Sequence, residues 1–160
     1  MKKPYSKLIA GREAVEAFLA LVVIPCNFDC LADELQRLTA IYDMANMVKD
    51  DEIVVFGQYD SEDRLIGIIH GLYKDKTFFI HVFSVRNTNC DIAQLGLEAQ
   101  AIFQERWPDI EKMVGKIPAS NKASQIYARR NGFTCRGVDK NYTYVKNGKE
   151  QKILHFQKEF

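Results

Sequence analysis

Polar and apolar positions along the chain divide it into helical stretches first and extended stretches afterwards. Gly11 to Leu21 carries Val15, Phe18 and Leu19 at helical spacing, which predicts a helix with those side chains inward. Cys30 to Val48, capped near Asp29, predicts a second helix, with Leu31, Leu35, Leu38, Ile41, Tyr42 and Ala45 on its apolar face. After Lys49-Asp-Asp-Glu52 the pattern turns to strands: Ile53 to Tyr59, Leu65 to Tyr73 and Thr77 to Val85, joined by short turns at Asp60–Asp63 and Lys74–Lys76. Three strands in series through short turns imply an antiparallel meander. Asp91 to Arg106 reads as a third helix with Ile92, Leu95, Ala99, Ile102 and Phe103 inward, closed by Trp107-Pro108. Lys112 to Ile117 is a short strand. Strands at Phe133 to Val138 and Ile153 to Phe160 follow, with Asn147-Gly148 as a hairpin signal between them. A first strand near Lys7 to Ala10 completes the order.

Between the strands at 112 and 133 lies the most informative stretch, Asn121-Lys-Ala-Ser124-Gln-Ile-Tyr127-Ala-Arg-Arg-Asn131-Gly132-Phe133. Asn121 is suited to cap a helix, because its side-chain oxygen accepts from first-turn amides. Ala123, Ile126, Tyr127 and Arg130 follow at helical spacing, and Gly132 supplies the left-handed residue that ends the helix.

Length and charge narrow the options. The chain has 160 residues, enough for one domain with its own core, and a net charge of +1 that leaves no electrostatic footprint for nucleic acid. The longest apolar run, Ala17 to Pro25, is too short to span a membrane and lacks the basic flank of a leader, so it reads as a buried element. The expectation is a single cytoplasmic domain, 1–160, with no membrane or nucleic-acid partner. Cys26 and Cys30 have no second pair at metal-ligand spacing; with Cys90 and Cys135 they read as free thiols, and no metal site is expected.

The capped segment ending in Gly132-Phe133 resembles the last block of the Gcn5-related N-acetyltransferases, the GNAT superfamily, in which Asn-x-x-Ala/Ser precedes Gly-Phe by this spacing. The run from Gly137 through Tyr142, Tyr144 and Asn147-Gly148 is similar to the branch that acetylates protein N-termini, including ribosomal proteins. The element order matches the same fold. The resemblance therefore implies an α/β (α+β) fold with a mixed, mostly antiparallel central sheet of six to seven strands and about four helices. It also implies acetyl-CoA as cosubstrate and a primary amine, on a peptide or a small molecule, as acceptor.

By the same resemblance, the strand Phe78 to Val85 feeds a loop that holds the cosubstrate pyrophosphate with an Arg/Gln-x-x-Gly-x-Gly/Ala pattern. Arg86 fits its first position, but Asn89 and Asp91 stand where glycines are usual. Asp91 places a carboxylate at a helix N-terminus where the phosphates would sit, a position that otherwise favours an incoming anion. Phe83 and Val85 would offer backbone groups to the pantetheine arm, and Asn121, Ser124 and Tyr127 would meet it from the other side. Ala128 occupies the position of the tyrosine often found seven residues after the motif asparagine.

For proton transfer, His81 is the candidate base, since histidine titrates near neutrality, and Tyr144 the candidate donor in the acceptor groove. The departures at Asn89, Asp91 and Ala128 leave a second reading open: a non-catalytic protein of this fold, like short proteins of tailed phages, serving as an assembly or interaction module. Tyr142, Tyr144, Phe156 and Phe160 could support a homodimer or belong to the core.

Overall fold

The computed structural model describes residues 2–24, 34–85, 88–146 and 149–160, with 34–37 and 142–146 described by backbone alone. The elements run β1 (Tyr5–Ile9), α1 (Gly11–Val22), α2 (Glu34–Lys49), β2 (Val54–Tyr59), β3 (Leu65–Lys74), β4 (Thr77–Ser84), α3 (Ile92–Arg106), β5 (Lys112–Pro118), α4 (Lys122–Arg130), β6 (Thr134–Lys146) and β7 (Lys149–Glu159). The strands form one sheet in the order β1-β2-β3-β4-β5-β7-β6. Every neighbouring pair is antiparallel except β4 with β5.

Alternation along the strands sends successive side chains to opposite faces. Val55, Ile68 and Phe83 point to one face, under α1 and α2, with Phe18, Leu21 and Val22. Phe56, Ile69, Phe78 and Met113 point to the other, under α3 and α4, with Ala99, Phe103 and Ala128. Phe18, Phe78 and Phe103 are wholly buried, and each such ring contributes about 1.5–3 kcal/mol by leaving water.

The turns follow local chemistry. Asp60 accepts from the amides of Glu62 (2.9 Å) and Arg64 (3.0 Å), closing the β2–β3 hairpin. Asp75 and Lys76 both take positive φ, 49° and 59°, the mirror-image turn that suits a two-residue hairpin between β3 and β4.

Several sequence expectations shift. The inward stripe of α1 is Ala14, Ala17, Phe18, Leu21 and Val22, whereas Leu19 faces solvent. On α2, Ile41 and Ala45 pack on the core as expected, joined by Met44, whereas Leu38 and Tyr42 are exposed. Its expected start at Asp29 and Cys30, and the Asn147-Gly148 turn, lie outside the described residues. β6 runs well beyond Val138 because the pairing with β7 slips between Val138 and Thr143. There the Asn141 amide bonds the Asp139 carboxylate (2.9 Å), a local polar bend that masks strand continuity in the sequence.

Candidate functional site

The parallel pairing of β4 with β5 covers Thr77↔Lys112, Phe78↔Met113 and Phe79↔Val114 and goes no further among the described residues. Beyond that point β5 continues along β7, up to Pro118↔Ile153, while β4 continues along β3, up to Ser84↔Gly67. The sheet therefore opens into a V whose arms lead to α3 and α4. Where these helices meet lies a cleft of about 470 Å³, within the size range of ligand sites.

One wall of the cleft is the loop and first turn of α3, Val85 and Thr88 to Ala93; the other is the Ala123, Ile126, Tyr127 and Arg130 stripe of α4. The residues that share this helical spacing form a cleft wall. Ile126 is 59% exposed, and the side chains that α4 buries are Gln125 and Ala128.

Both ends of α4 are built as the sequence predicts. Asn121 accepts from the Ser124 amide at 3.0 Å, and Gly132 takes φ +84°. Asn131 holds the C-terminal end: its side-chain amide donates to the Tyr127 carbonyl (3.0 Å), and its Oδ1 accepts from Gln100 of α3 (3.0 Å). Lys158 of β7 donates to Gln100 Oε1 and to the Asn131 carbonyl. Gly96 is required by this contact, since a Cβ there would lie 2.3 Å from Asn131 Oδ1 and 2.5 Å from the Tyr127 hydroxyl.

The Tyr127 hydroxyl is buried under α3 with no hydrogen-bond partner among the described residues, as are both amide atoms of Gln58. Gln58 acts electrostatically on this hydroxyl without completing a bond of normal geometry. Burial dominates and pushes the phenol pKa well up, so Tyr127 keeps its proton. Gln58 escaped the sequence reading, although one amide inside an apolar strand was a visible signal.

Three amides of the loop and the first turn of α3 already have acceptors within the segment. The Cys90 amide donates to Thr88 Oγ1 (3.2 Å), and the Ala93 and Gln94 amides donate to Asp91 Oδ1 (3.1 and 3.3 Å). From α4, Arg130 Nη2 reaches both Asp91 oxygens, at 3.1 and 2.9 Å. The Gln94 amide first, and Arg130 next, hold the Asp91 carboxyl below the usual range. The residues thus fit an anion, and Asp91 already stands in as one. The expectation of an unrelieved like charge here is modified: Arg130 neutralises it.

The remaining candidates separate into groups. Val85, Asn89 and Tyr127 line the cleft. Asn121 and Ser124 form the α4 cap outside its wall. Phe83 is buried on the α1 face, paired with Ile68. Arg86 and the Tyr144 side chain lie outside the described residues.

His81 sits on β4 two residues past the last β4–β5 pair, stacked on His70 at 5.4 Å. Its side chain remains accessible, yet the packing around it is dense enough for desolvation to lower its pKa below the ordinary histidine value.

His70 is wholly enclosed, against Phe18 and Phe83, and neither ring nitrogen has a partner among the described residues. Burial, then His81, drives its pKa well down, so it is neutral when folded. The unfolded chain takes up a proton below about pH 6.5 that the folded chain refuses, so stability is full above that pH and falls below it. Urea unfolding at pH 7.5 and 5.5 is expected to differ by about 1 kcal/mol from this group. His70→Phe should shrink the difference; an unchanged difference would place its source elsewhere.

No protein-family model and no curated protein sequence matches the chain. Solved structures do. Spermidine N-acetyltransferase from Vibrio cholerae, in complex with CoA and spermine, is 12% identical, with a TM-score of 0.73 over 98% of this chain and 95% of that one. The ribosomal L7/L12 alpha-N-protein acetyltransferase RimL, in complex with coenzyme A, is 19% identical, with a TM-score of 0.70 over 98% and 94%. Ribosomal-protein-S5-alanine acetyltransferase from Vibrio fischeri is 12% identical, with a TM-score of 0.67 over 99% and 94%. At these identities the likeness is one of fold, and it spans almost every residue: the chain has the acetyltransferase fold of the GNAT superfamily.

Proposed function

We propose that this protein is an acetyl-CoA-dependent N-acetyltransferase acting on a primary amine, with a protein N-terminus as the favoured acceptor class. The observation that carries the reading is the cleft between the β4–α3 loop and the α4 stripe, beyond the end of the β4 arm that has parted from β5. Solved structures of the same fold include one with CoA and spermine and one with coenzyme A. The preference for a protein N-terminus rests on the RimL likeness and the Gly137 to Asn147 run.

Bound in the V, acetyl-CoA would supply an activated acetyl thioester. The chain must then present a neutral amine to it. His81 lies beside the point where the strands separate, and its lowered pKa leaves the ring unprotonated near pH 7, able to accept the amine proton. The departing thiolate takes a proton from water or from Tyr144. Tyr127 forms part of the cleft wall, with its protonated hydroxyl buried under α3.

The test is amine-dependent release of free thiol from acetyl-CoA, with peptides bearing N-terminal Ser or Ala and with spermidine as acceptors. Turnover with one of them is the expected result. No release with any amine at saturating acetyl-CoA would overturn the reading. It would favour the second one, a non-catalytic interaction module, which draws on the Asp91–Arg130 pair across the cleft and on buried Ala128 at the usual tyrosine position.

A further inference from the structure

Three amides and a guanidinium at the anion end of the cleft are held by the protein's own oxygens. Asp91 takes two α3 amides and both of its oxygens meet Arg130; Thr88 takes the Cys90 amide. A helix N-terminus plus a guanidinium is the set of partners that a phosphate would seek. Here a carboxylate from the same chain holds it. The Tyr127 hydroxyl, buried and without a partner among the described residues, belongs to a residue of the same cleft.

We infer that Asp91 is an internal competitor for the phosphates of the acyl donor, with Arg130 the cation over which they compete. This rests on the acetyltransferase reading and deepens it, because it names two residues that set donor affinity. Asp91 and Arg130 are each about half exposed, with side chains 52% and 58% accessible, so the pair is weakly held and opens readily. On entry of coenzyme A, Arg130 swings from the carboxylate to a phosphate, and Asp91 keeps only its capping bonds. The closed pair satisfies the cleft when no donor is present. The cost is a standing repulsion between Asp91 and the bound phosphates.

Isothermal titration of coenzyme A into the wild type, Asp91→Asn and the double variant Asp91→Asn/Arg130→Gln tests this. Asparagine caps helices as well as aspartate does, so the single variant keeps α3 intact, and circular dichroism checks the fold of both. Removing the carboxylate should tighten binding about tenfold, through lost repulsion and a released Arg130. The double variant should lose most of that gain. Equal or weaker binding by Asp91→Asn overturns the competition while leaving the acetyltransferase reading in place, and a gain that survives in the double variant removes Arg130 from it. Absence of binding to all three at millimolar coenzyme A overturns both.

Discussion

Gly71→Ala is expected to destabilise the protein by about 3 kcal/mol or more, a large part of the roughly 5–15 kcal/mol available to a domain. Gly71 lies in mid-β3, paired with Val54 on one side and Ile80 on the other. A Cβ there would stand 1.9 Å from the Phe79 carbonyl oxygen, 2.8 Å from its carbon and 2.9 Å from the Phe78 ring. The first two atoms are backbone, and the ring is locked against Phe103 at 4.3 Å, so nothing nearby yields by a side-chain turn. The strands must separate, and the residue forced to move, Phe79, is the last that pairs with β5. Gly115→Ala is the control, since a Cβ there meets only Ile80, at 3.5 Å and beyond. In thermal unfolding the first variant should lose about 6–12 °C and the second little. Comparable losses would mean that the close approach at Gly71 relaxes without breaking the sheet.

The legible parts of this fold are those where one local signal decides. The α4 cap and stop could be read because Asn121 and Gly132 act within a few residues of themselves. The meander could be read because its turns carry Asp60 and the Asp75-Lys76 pair. What escaped depends on partners distant in sequence. Arg130 is an ordinary helix-end arginine until α3 brings Asp91 to it, 39 residues away. The Ala123, Ile126, Tyr127 and Arg130 stripe of α4 is visible as a period, but periodicity states which side chains share a face, not what that face meets. Leu19, Leu38 and Tyr42 are exposed for the same reason: each lies at the margin of an apolar stripe whose centre faces the sheet. Gly96 and Gly71 carry no turn signal: Gly96 is required where α3 meets Asn131 and Tyr127, and Gly71 where β3 lies against the Phe79 carbonyl of β4.

His81→Ala is expected to lower kcat/KM for acetyl transfer by about 10²-fold or more, the range in which a positioned base contributes. The fold should hardly notice, since the side chain is accessible and its known ring contact is the stack on His70. The pH profile carries the more specific signature. Because desolvation lowers the His81 pKa, its basic form persists below the ordinary histidine range, so activity should stay level as pH falls through about 6.5 and drop only below that. In the alanine variant the acidic limb should move toward the pKa of the acceptor amine, and added imidazole should restore part of the rate, which a purely structural role would not allow. An alanine variant with the wild-type profile and rate would mean that the amine loses its proton to water before it reaches the V. His81 would then be an aromatic partner of His70, and the chemistry would be carried by the placement of donor and acceptor alone.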